Sequence, residues 1–600
     1  MLLVAATSSR VSRHPAAAWL LLVLSAGLYL GLAGAPALVD DDIDAAHALV
    51  AREMLERHDY VVMYQDGLRY LIRAPLHFWM IAASYAALGQ SAFATRLPVA
   101  LAMVGLVLLT FEFGRRFFGQ RAGLYGGLAV ATSAGMFVFT RTVIPEAIYA
   151  LEFTAVFYLF LRSWTGSLAP GVGYRAAAAV CALAVLTRGP IGLLFPAATI
   201  VVFLTATQGW PRWRELRLPS SIALFLAIAA PWHVLAERRA PGFAWAYFVN
   251  EHVNRALGTR LPHDYGAVPL GLWLAEHAVW LFPWSAFAVL TVRLFPAPRS
   301  WGTRMDADAQ ARLLLFAWAA VIVGFFCLES GSRMEYYSFG AWPALALLLG
   351  LGIALAEDRG DRRLLWISRG LAVLGALYAA GTAIFLRAVA RPAIPADITA
   401  DLKTHGADFY QSAMAHVLDL TPQALADLRG PLILSAASLF AAFLASAILR
   451  QRRRHVAATV VIALGMVGVF VAANLSYRAL EPSLSSRSLA MRINRDLRPE
   501  DRIALYGDIR MAPGIAFYSH RRVLLFHATE SNLEFGSHFP DAPRTFYGDE
   551  DFRQLWAAPG RVLLVVPEDK DQEALQRLPA GSARVLAAAG GKTVYVNHGD

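Results

Sequence analysis

The 600-residue chain has few charged residues and almost no cysteine. Only 16% of its residues are Asp, Glu, Lys or Arg, whereas 57% are hydrophobic and the mean hydropathy is +0.47. A soluble globular chain needs far less apolar surface to fill its core, so the composition indicates an integral membrane protein. The two cysteines, Cys181 and Cys327, both lie inside apolar runs, which excludes a disulfide framework and a cysteine metal site.

The formal net charge of +10 does not indicate nucleic-acid binding, because the arginines concentrate in short segments between apolar runs. Four such segments, GRRFFGQR, WPRWRELR, EDRGDRR and RQRRRH, follow the second, sixth, tenth and twelfth apolar runs. Every even-numbered run returns to the cytoplasm if the N-terminus is inside, so these arginines lie on the cytoplasmic side in that topology. We count about thirteen runs long enough to cross a membrane. They are residues 16–38, 97–114, 121–140, 146–162, 174–188, 190–207, 219–237, 268–292, 311–328, 337–355, 366–388, 431–449 and 456–475.

The first run has a second interpretation, a cleaved signal peptide, because GAPA resembles a small-residue cleavage site; the length of the run favours a membrane span. With the N-terminus inside, residues 39–96 and the loops around 238–267 and 389–430 lie outside. Within the first external loop, HALVAREMLERH predicts an amphipathic helix along the membrane interface. Its predicted buried side carries Ala48, Leu49, Met54 and Leu55.

Residues 476–600 differ in character from the transmembrane domain predicted over residues 1–475. Short β-type runs such as RIALYGD, RVLLFH, RVLLVVP and KTVYVNH alternate there with polar and helical segments, which predicts a small external α/β domain. No repeat of fixed period occurs, which disfavours inverted-repeat transporter folds. The predicted fold is a polytopic α-helical membrane protein with interfacial helices in the first external loop and a C-terminal α/β domain.

Four aspartates follow directly on the first apolar run: Asp40, Asp41, Asp42 and Asp44. One aspartate is enough to cap a helix. Three more repel one another, which favours their use by a cation, a cationic partner or a proton-transfer step. The short pattern Asp42-x-Asp44 leaves a divalent cation open as a cofactor, and no other cofactor is indicated.

Other ionisable residues are predicted at the same outer face. Glu146 follows a proline at the start of the fourth run, where an acid also suits the helix dipole. Arginines at this face oppose the positive-inside trend and suit phosphate, although each one alone is more often a lipid-headgroup or helix-end contact. These residues, with their neighbours, are Arg73, His77, Arg188, Arg333, Tyr336 and Tyr337. The loop sequence FVNEHVNRALG adds Glu251 and His252, a pair that is more often structural than metal-binding, with Asn254 and Arg255.

Six stretches resemble, in order, the aminoarabinose lipid A transferases and related bacterial protein mannosyltransferase-like glycosyltransferases. They are AREML, RAPLHFWMIAASYAALGQSAFATRLPVALA, TRGPIGLLFP, PWHVL, PGFAWAYFVNEHVNRALG and SRMEYYSFGAWPALALLLG. The resemblance implies a GT-C glycosyltransferase that moves a sugar, with inversion, from a polyprenyl-phosphate carrier at the periplasmic face of the bacterial inner membrane. The implied partners are this donor, membrane lipids, and a lipid, glycan or protein acceptor.

The resemblance also assigns the catalytic acid to the first external loop. A gap-free alignment on AREM places the family's Asp-Glu pair over Ile43 and Asp44, so we place the catalytic aspartate at Asp42, with Asp41 as the next choice. Glu146 takes the place of a second family acid. An arginine that follows the family pair is absent, because Ala46 stands there.

The resemblance assigns the donor phosphate to basic residues. The family lysine near the phosphate corresponds to Arg73, and a later lysine and tyrosine correspond to Arg333 and Tyr337; Arg188 and His77 complete the predicted donor site. A family glutamate that holds a structural zinc together with a histidine is Ile72 here, which cannot bind a metal. The metal role of His252 is therefore expected to be lost.

A transporter or flippase of a lipid-linked substrate is the alternative function, because such proteins also gather arginines and acids in a membrane cavity. A transporter needs ionisable residues near the middle of the membrane that both faces can reach. The acids here cluster at one outer face, which favours the transferase. A scaffold without chemistry would leave the aspartates and the external arginines without a use.

Overall fold

The computed structural model describes residues 15–40, 43–263, 267–302, 305–329, 331–389, 402, 419–528 and 531–597. Helices dominate up to Ala479, and a sheet domain follows. The helices are α1 (Pro15–Ser25), α2 (Asp44–Glu56), α3 (Leu76–Leu88), α4 (Ala92–Phe118), α5 (Gln120–Thr132), α6 (Ala134–Val138), α7 (Glu146–Trp164), α8 (Pro170–Arg188), α9 (Ile191–Ala206), α10 (Leu218–Arg239), α11 (Arg255–Leu257), α12 (Leu270–Trp280), α13 (Ala307–Leu328), α14 (Trp342–Asp358), α15 (Arg363–Ala388), α16 (Pro422–Asp427), α17 (Arg429–Gln451), α18 (His455–Ala479), α19 (Glu481–Leu484), α20 (Arg487–Asp496), α21 (Pro513–Ser519), α22 (Glu534–Ser537), α23 (Asp549–Ala557) and α24 (Asp571–Arg577).

Eight helices among the described residues are long and apolar enough to cross a membrane, namely α4, α8, α10, α13, α14 with its preceding turn, α15, α17 and α18. The predicted polytopic α-helical membrane protein is therefore confirmed. Each of the thirteen predicted runs overlaps a helix, but the helical part of the first run ends at Leu30 instead of residue 38, and two other runs are broken. Ser133 separates α5 from α6, and a turn before Pro283 separates α12 from a 3-10 helix over Trp284–Leu290. The count of thirteen spans stays a prediction.

Small residues set the distance between helices in the bundle. A Cβ atom added to Gly350 of α14 would lie 2.5 Å from the backbone nitrogen of Gly126 in α5, so only glycine allows this approach. Such contacts stabilise helix pairs in a membrane, where lipid is as apolar as the side chains and dispersion contacts replace the hydrophobic effect.

The structure corrects one part of the prediction for α2, the single buried side of the helix. Its position along the membrane interface stays a prediction. The helix is buried along Asp44–Met54, because α3 packs against it and α21 covers the face that was expected to be polar. Arg52 illustrates the change: it is 5% exposed and donates hydrogen bonds to the carbonyls of Ala516 (3.2 Å) and Phe517 (2.8 Å) in α21. The hydrophobic periodicity of α2 gives no sign of α21, because α21 lies more than 450 residues away in the chain.

The sheet domain follows the last long helix. Its strands are β3 (Arg502–Tyr506), β4 (Val523–Phe526), β5 (Phe546–Tyr547), β6 (Val562–Pro567), β7 (Arg584–Ala589) and β8 (Lys592–Val596). They lie in the order β5-β4-β3-β6-β8-β7, with the first four parallel and the last two antiparallel to their neighbours. The predicted small C-terminal α/β domain is confirmed, while its exact boundary at residue 476 stays a prediction.

A β-hairpin joins the first external loop to this domain. Strands β1 (Tyr64–Gln65) and β2 (Leu68–Arg69) are linked by Asp66 and Gly67, both with positive φ (52° and 85°), as a two-residue Asp-Gly turn requires. Asp66 is 1% exposed, and its carboxylate accepts a hydrogen bond of 3.0 Å from Val523 N in β4. Burial raises the pKa of Asp66 to about 7, although the Val523 N–H bond acts in the opposite direction.

We expect Asp66→Asn to remove the loss of folded-state stability that ionisation of the buried Asp66 carboxyl causes as the pH rises. The folded-state pKa lies above the unfolded value, so the contribution of Asp66 to stability is complete at low pH and is lost as the pH rises towards about 7. The variant should therefore unfold at a higher temperature than the wild type at pH 8, and the difference should shrink towards pH 5. Thermal unfolding of the detergent-solubilised proteins measures this, and a pH-independent difference would contradict it.

Candidate active site

The predicted catalytic segment is anchored at both ends. Asp41 and Asp42 lie outside the described residues, so their placement stays a prediction. Asp40, just before them, is held by three groups from the C-terminal part of the chain: Gly514 N (2.9 Å), Ser486 Oγ and Lys592 Nζ (3.2 Å). The C-terminal domain therefore fixes one end of the segment.

Asp44 fixes the other end through a buried ion pair. Its carboxylate lies 2.6 Å from a guanidinium nitrogen of Arg96 and accepts a 2.8 Å hydrogen bond from Val39 N. Asp44 is fully buried and Arg96 is 2% exposed. Arg96 also donates to three carbonyls in the turn and loop that follow the first helical segment, those of Ala33, Pro36 and Ala37. This geometry gives Asp44 a structural partner, whereas its predicted catalytic and cation-binding roles stay predictions.

Arg141 is a buried arginine that the sequence motifs did not single out. It is 4% exposed, its guanidinium lies 4.7 Å from the centre of the Phe137 ring, and its Nε and Nη1 have no hydrogen-bond partner among the described residues. Burial, followed by repulsion from Arg96, lowers its pKa to about 10. A desolvated guanidinium of this kind is stabilised by an anion beside it.

His47 and His77 share one backbone acceptor. The Val143 carbonyl lies 3.1 Å from His47 Nδ1 and 3.0 Å from His77 Nε2, and both rings are buried. Burial, followed by the neighbouring His77, lowers the pKa of His47. His77, predicted to lie at the donor site, therefore holds the loop that precedes Glu146.

Glu146 and Arg188 form the first part of a polar network. Glu146 begins α7 and is fully buried, and its carboxylate lies 2.9 Å from a guanidinium nitrogen of Arg188 at the end of α8. The Arg188 guanidinium also lies 5.8 Å from the centre of the Tyr337 ring. The structure thus brings together three of the predicted site residues.

Glu251 forms the second part of this network and is contacted by three arginines. Arg73 pairs with it, and nitrogens of Arg255 and Arg260 lie 2.8 Å from its carboxylate oxygens. Burial raises the pKa of Glu251, but Arg255, Arg73 and Arg260 together lower it well below its usual value. Arg255 Nη1 also donates a 3.2 Å hydrogen bond to the Tyr337 hydroxyl, which joins the two parts. We call these residues the outer charge network: Arg73, Glu146, Arg188, Glu251, Arg255, Arg260 and Tyr337.

Arg333 contacts backbone rather than the outer charge network. Its guanidinium donates to the carbonyls of Phe326 (2.6 Å), Val268 (3.1 Å) and Glu329 (2.5 Å), and the residue is 5% exposed. These bonds hold the segment between α13 and α14 in place. A direct contact with the donor phosphate stays a prediction for Arg333.

His252 lies beside Arg188. Its Nδ1 lies 2.6 Å from the Tyr247 carbonyl, and its ring faces Gly189 of the RGP motif so closely that a Cβ there would lie 2.5 Å from Nε2. Burial lowers the pKa of His252. Among the described residues, no group of three or more His, Cys, Asp or Glu is placed to hold a metal ion.

Sequence reasoning missed Arg96, Arg141 and Arg260, and it undervalued Glu251. Arg96 and Arg260 carry the same signal that singled out Arg73, an arginine on the outer side of the apolar runs. The local sequence shows Glu251 only as a member of a Glu-His pair of the usual structural kind. It gives no sign of the arginine partner Arg73, because Arg73 is 178 residues away in the chain.

Comparison with known proteins places this geometry in context. Residues 72–234 match the family model described as dolichyl-phosphate-mannose-protein mannosyltransferase. The undecaprenyl phosphate-alpha-4-amino-4-deoxy-L-arabinose arabinosyl transferase 2 of Pseudomonas fluorescens is 26% identical over 343 residues, 56% of this chain and 58% of the relative. Transferase 1 of Proteus mirabilis is 26% identical over 56% of this chain and 62% of its own length. The chain thus matches about three fifths of these relatives' length.

The crystal structure of ArnT from Cupriavidus metallidurans bound to undecaprenyl phosphate matches 98% of this chain and 98% of its own, with a TM-score of 0.80 and 20% identity. The chain has the GT-C fold. The crystal structure of the same ArnT in the apo state matches 97% of this chain and 98% of its own, with a TM-score of 0.79 and 21% identity. The resemblance that the ordered motifs indicate is thereby confirmed, and the match extends through the C-terminal domain, where the motifs gave only a loose indication.

We expect Asp44→Asn to destabilise the protein. The substitution removes the negative charge that neutralises buried Arg96, and breaking a buried ion pair in this way costs about 3–5 kcal/mol. Thermal unfolding in detergent measures the loss. Asp308→Asn is the matched control, because its pair with Arg312 is half exposed and should matter little. An unchanged unfolding temperature for Asp44→Asn would contradict the structural role.

Proposed function

We propose that this chain is a glycosyltransferase that moves a sugar from a polyprenyl-phosphate carrier to an envelope acceptor. The outer charge network is the observation that carries the proposal. It gathers four arginines and two buried carboxylates. A departing lipid phosphate needs positive charge around it, and an attacking hydroxyl or amine needs a carboxylate to take its proton.

In the proposed reaction an acceptor oxygen or nitrogen attacks the anomeric carbon of the sugar. The new bond forms as the bond from that carbon to the phosphate oxygen breaks, and the electron pair leaves with the polyprenyl phosphate. Asp42, or Asp41 next to it, takes the acceptor proton. Arg73, Arg188 and Tyr337 stabilise the charge on the phosphate, and attack opposite to the leaving group inverts the anomeric configuration.

Glu146 and Glu251 neutralise these arginines when no phosphate is present. Without them, several guanidinium groups would face one another in a site that is largely removed from water. Arg333 and His77 are positioning residues in this proposal, because both hold backbone carbonyls around the network.

The arrangement of arginines along the bundle supports a periplasmic active site in the bacterial inner membrane. Glu357 in α14 pairs with Arg450 at the end of α17 and lies 3.6 Å from Arg121 at the start of α5, so three of the arginine-rich loops meet. Helix α4 runs from Arg96 beside Asp44 to the loop before Arg121. The arginine-rich loops and the outer charge network therefore occupy opposite ends of α4, as the positive-inside rule expects.

The named relatives suggest the first substrates to test. They are undecaprenyl phosphate-aminoarabinose arabinosyl transferases, so an undecaprenyl-phosphate-linked pentose with lipid A as acceptor is the first pair we propose. Ile72 and Ala46 stand where the resemblance expects a glutamate and an arginine. Other sugars, and lipid, glycan or protein acceptors, belong in the same screen.

We expect membranes that contain the wild type to release sugar from labelled undecaprenyl-phosphate sugars. Asp42→Asn should abolish release if it is the base, whereas a loss in Asp41→Asn would move the role to that residue. Arg188→Gln should lower the rate about 100-fold through weaker stabilisation of the leaving phosphate. Radiolabel transfer at matched expression measures these effects.

Arg363→Gln is the control for this assay, because Arg363 lies at the other end of the bundle and pairs with Asp361. Its rate should equal that of the wild type. Movement of the intact carrier across the membrane without release of sugar would contradict the transferase and favour a flippase.

A further inference from the structure

We propose that a cleft between the first external loop and the C-terminal domain binds the phosphate of a phosphorylated sugar. The cleft has a volume of about 270 Å³ and is lined by Arg57, Arg69, Arg522, Tyr64 and Asp541, with small residues between them. The hairpin β1–β2 forms one wall, and residues around β4 and α22 form the other. We call it the arginine cleft.

Each arginine of the cleft is oriented by a neighbouring group. Arg57 lies 4.3 Å from the centre of the Tyr64 ring and pairs with Glu53 at 3.1 Å. Arg522 donates to the Asp66 carbonyl (3.3 Å) and to Thr545 Oγ1 (3.0 Å).

Arg69 lies 4.1 Å from the centre of the Phe539 ring. An aromatic face covers one side of both Arg57 and Arg69, which leaves the N–H edges as the groups that meet a ligand.

Asp541 shows which chemistry the cleft accepts. Its two carboxylate oxygens contact the two terminal nitrogens of Arg69 at 2.5 and 2.9 Å, although the Asp541 side chain is 66% exposed. This two-bond geometry is the one by which a guanidinium also binds phosphate. A ligand phosphate would therefore compete with a carboxylate that swings out readily into solvent.

Charge and size together point to a phosphorylated sugar rather than to a bare anion. Three guanidinium groups line the cleft against one lining carboxylate, that of Asp541. Glu53 pairs with Arg57 and Asp66 interacts with Arg522, but neither carboxylate lines the cleft, so positive charge faces a ligand when Asp541 leaves. The volume approaches the lower end of small-molecule sites, roughly 300–1,000 Å³, and leaves room for a polar ring beside the phosphate. The walls are mostly polar, with Ala542 and Pro543 as the exceptions.

The position of the cleft suggests which substrate carries this phosphate. Helix α2 has 13 residues and joins Asp44 at its start to Arg57 just after its end, so the cleft lies about 20 Å from Asp44 at 1.5 Å per residue. An acceptor with a saccharide headgroup could place a distal phosphate here while its attacking oxygen or nitrogen reaches the predicted catalytic aspartates. This assignment to the acceptor rests on the proposed function, whereas anion binding in the cleft does not.

Isothermal titration of the full-length protein in detergent with glucose 1-phosphate tests the cleft. We expect binding that Arg522→Gln and Arg57→Gln each weaken about tenfold, through the loss of one charge-assisted contact. Asp541→Asn should strengthen binding, because it removes the competing negative charge. A purely structural role of these residues would not produce this opposite effect.

Arg544→Gln is the matched control, because Arg544 is exposed, pairs with Asp551 and does not line the cleft. Thermal unfolding shows that each variant is folded. Glucose binding equal to glucose 1-phosphate would overturn recognition of the anion, and equal binding of inorganic phosphate would overturn recognition of the sugar. Unchanged affinity in all variants would overturn the site. Failure of the transferase proposal would instead appear as absent sugar release by a protein that still binds glucose 1-phosphate.

Discussion

The cost of burying positive charge governs the part of this protein that contains Asp44, Arg96 and the outer charge network. A guanidinium removed from water is tolerated only where carboxylates or carbonyls surround it. Arg96 has Asp44 and three carbonyls, Arg188 has Glu146, and three arginines share Glu251. The pairs Asp44–Arg96, Glu146–Arg188 and Arg73–Glu251 each join segments that are distant in the sequence, whereas Arg255 and Arg260 lie close to Glu251 in the chain. The distant pairs therefore hold the first loop, the bundle and the loop around residues 238–267 together.

The C-terminal domain takes part in this construction and is not an appendage. It covers α2, holds the carboxylate of Asp40, and receives the turn at Asp66 against β4. It also supplies Asn532, which accepts a 2.8 Å hydrogen bond from Arg260 of the outer charge network. The segment with the predicted catalytic aspartates thus lies between Asp40, fixed by this domain, and Asp44, fixed by the bundle.

An arrangement that satisfies arginines with carboxylates is also suited to exchange one anion for another. Carboxylate and phosphate both accept paired N–H donors from a guanidinium. In the proposed reaction a lipid phosphate takes over contacts that Glu146 or Glu251 hold before it arrives. In the proposed arginine cleft the exposed carboxylate of Asp541 is the group to be displaced. Both proposals therefore use for substrate binding the interaction that neutralises the buried charges.

The sequence by itself determined the membrane class, the helical runs, the terminal α/β domain and the resemblance to GT-C transferases. Hydropathy, strand patterns and motif order are properties of neighbouring residues, so they can be read along the chain. The Asp66-Gly67 dipeptide is itself typical of a two-residue hairpin turn. Nothing in the neighbouring sequence indicates that this turn contacts β4.

Only the tertiary structure decided which charges meet. Arg73 and Glu251, Asp44 and Arg96, and Asp40 and Lys592 are paired across 178, 52 and 552 residues. The burial of α2 on its polar face and the contacts of Arg333 with backbone carbonyls were equally outside the reach of local patterns. The physical reason is that the energy of a buried charge depends on every group that folding brings around it, and spacing along the chain does not record that environment.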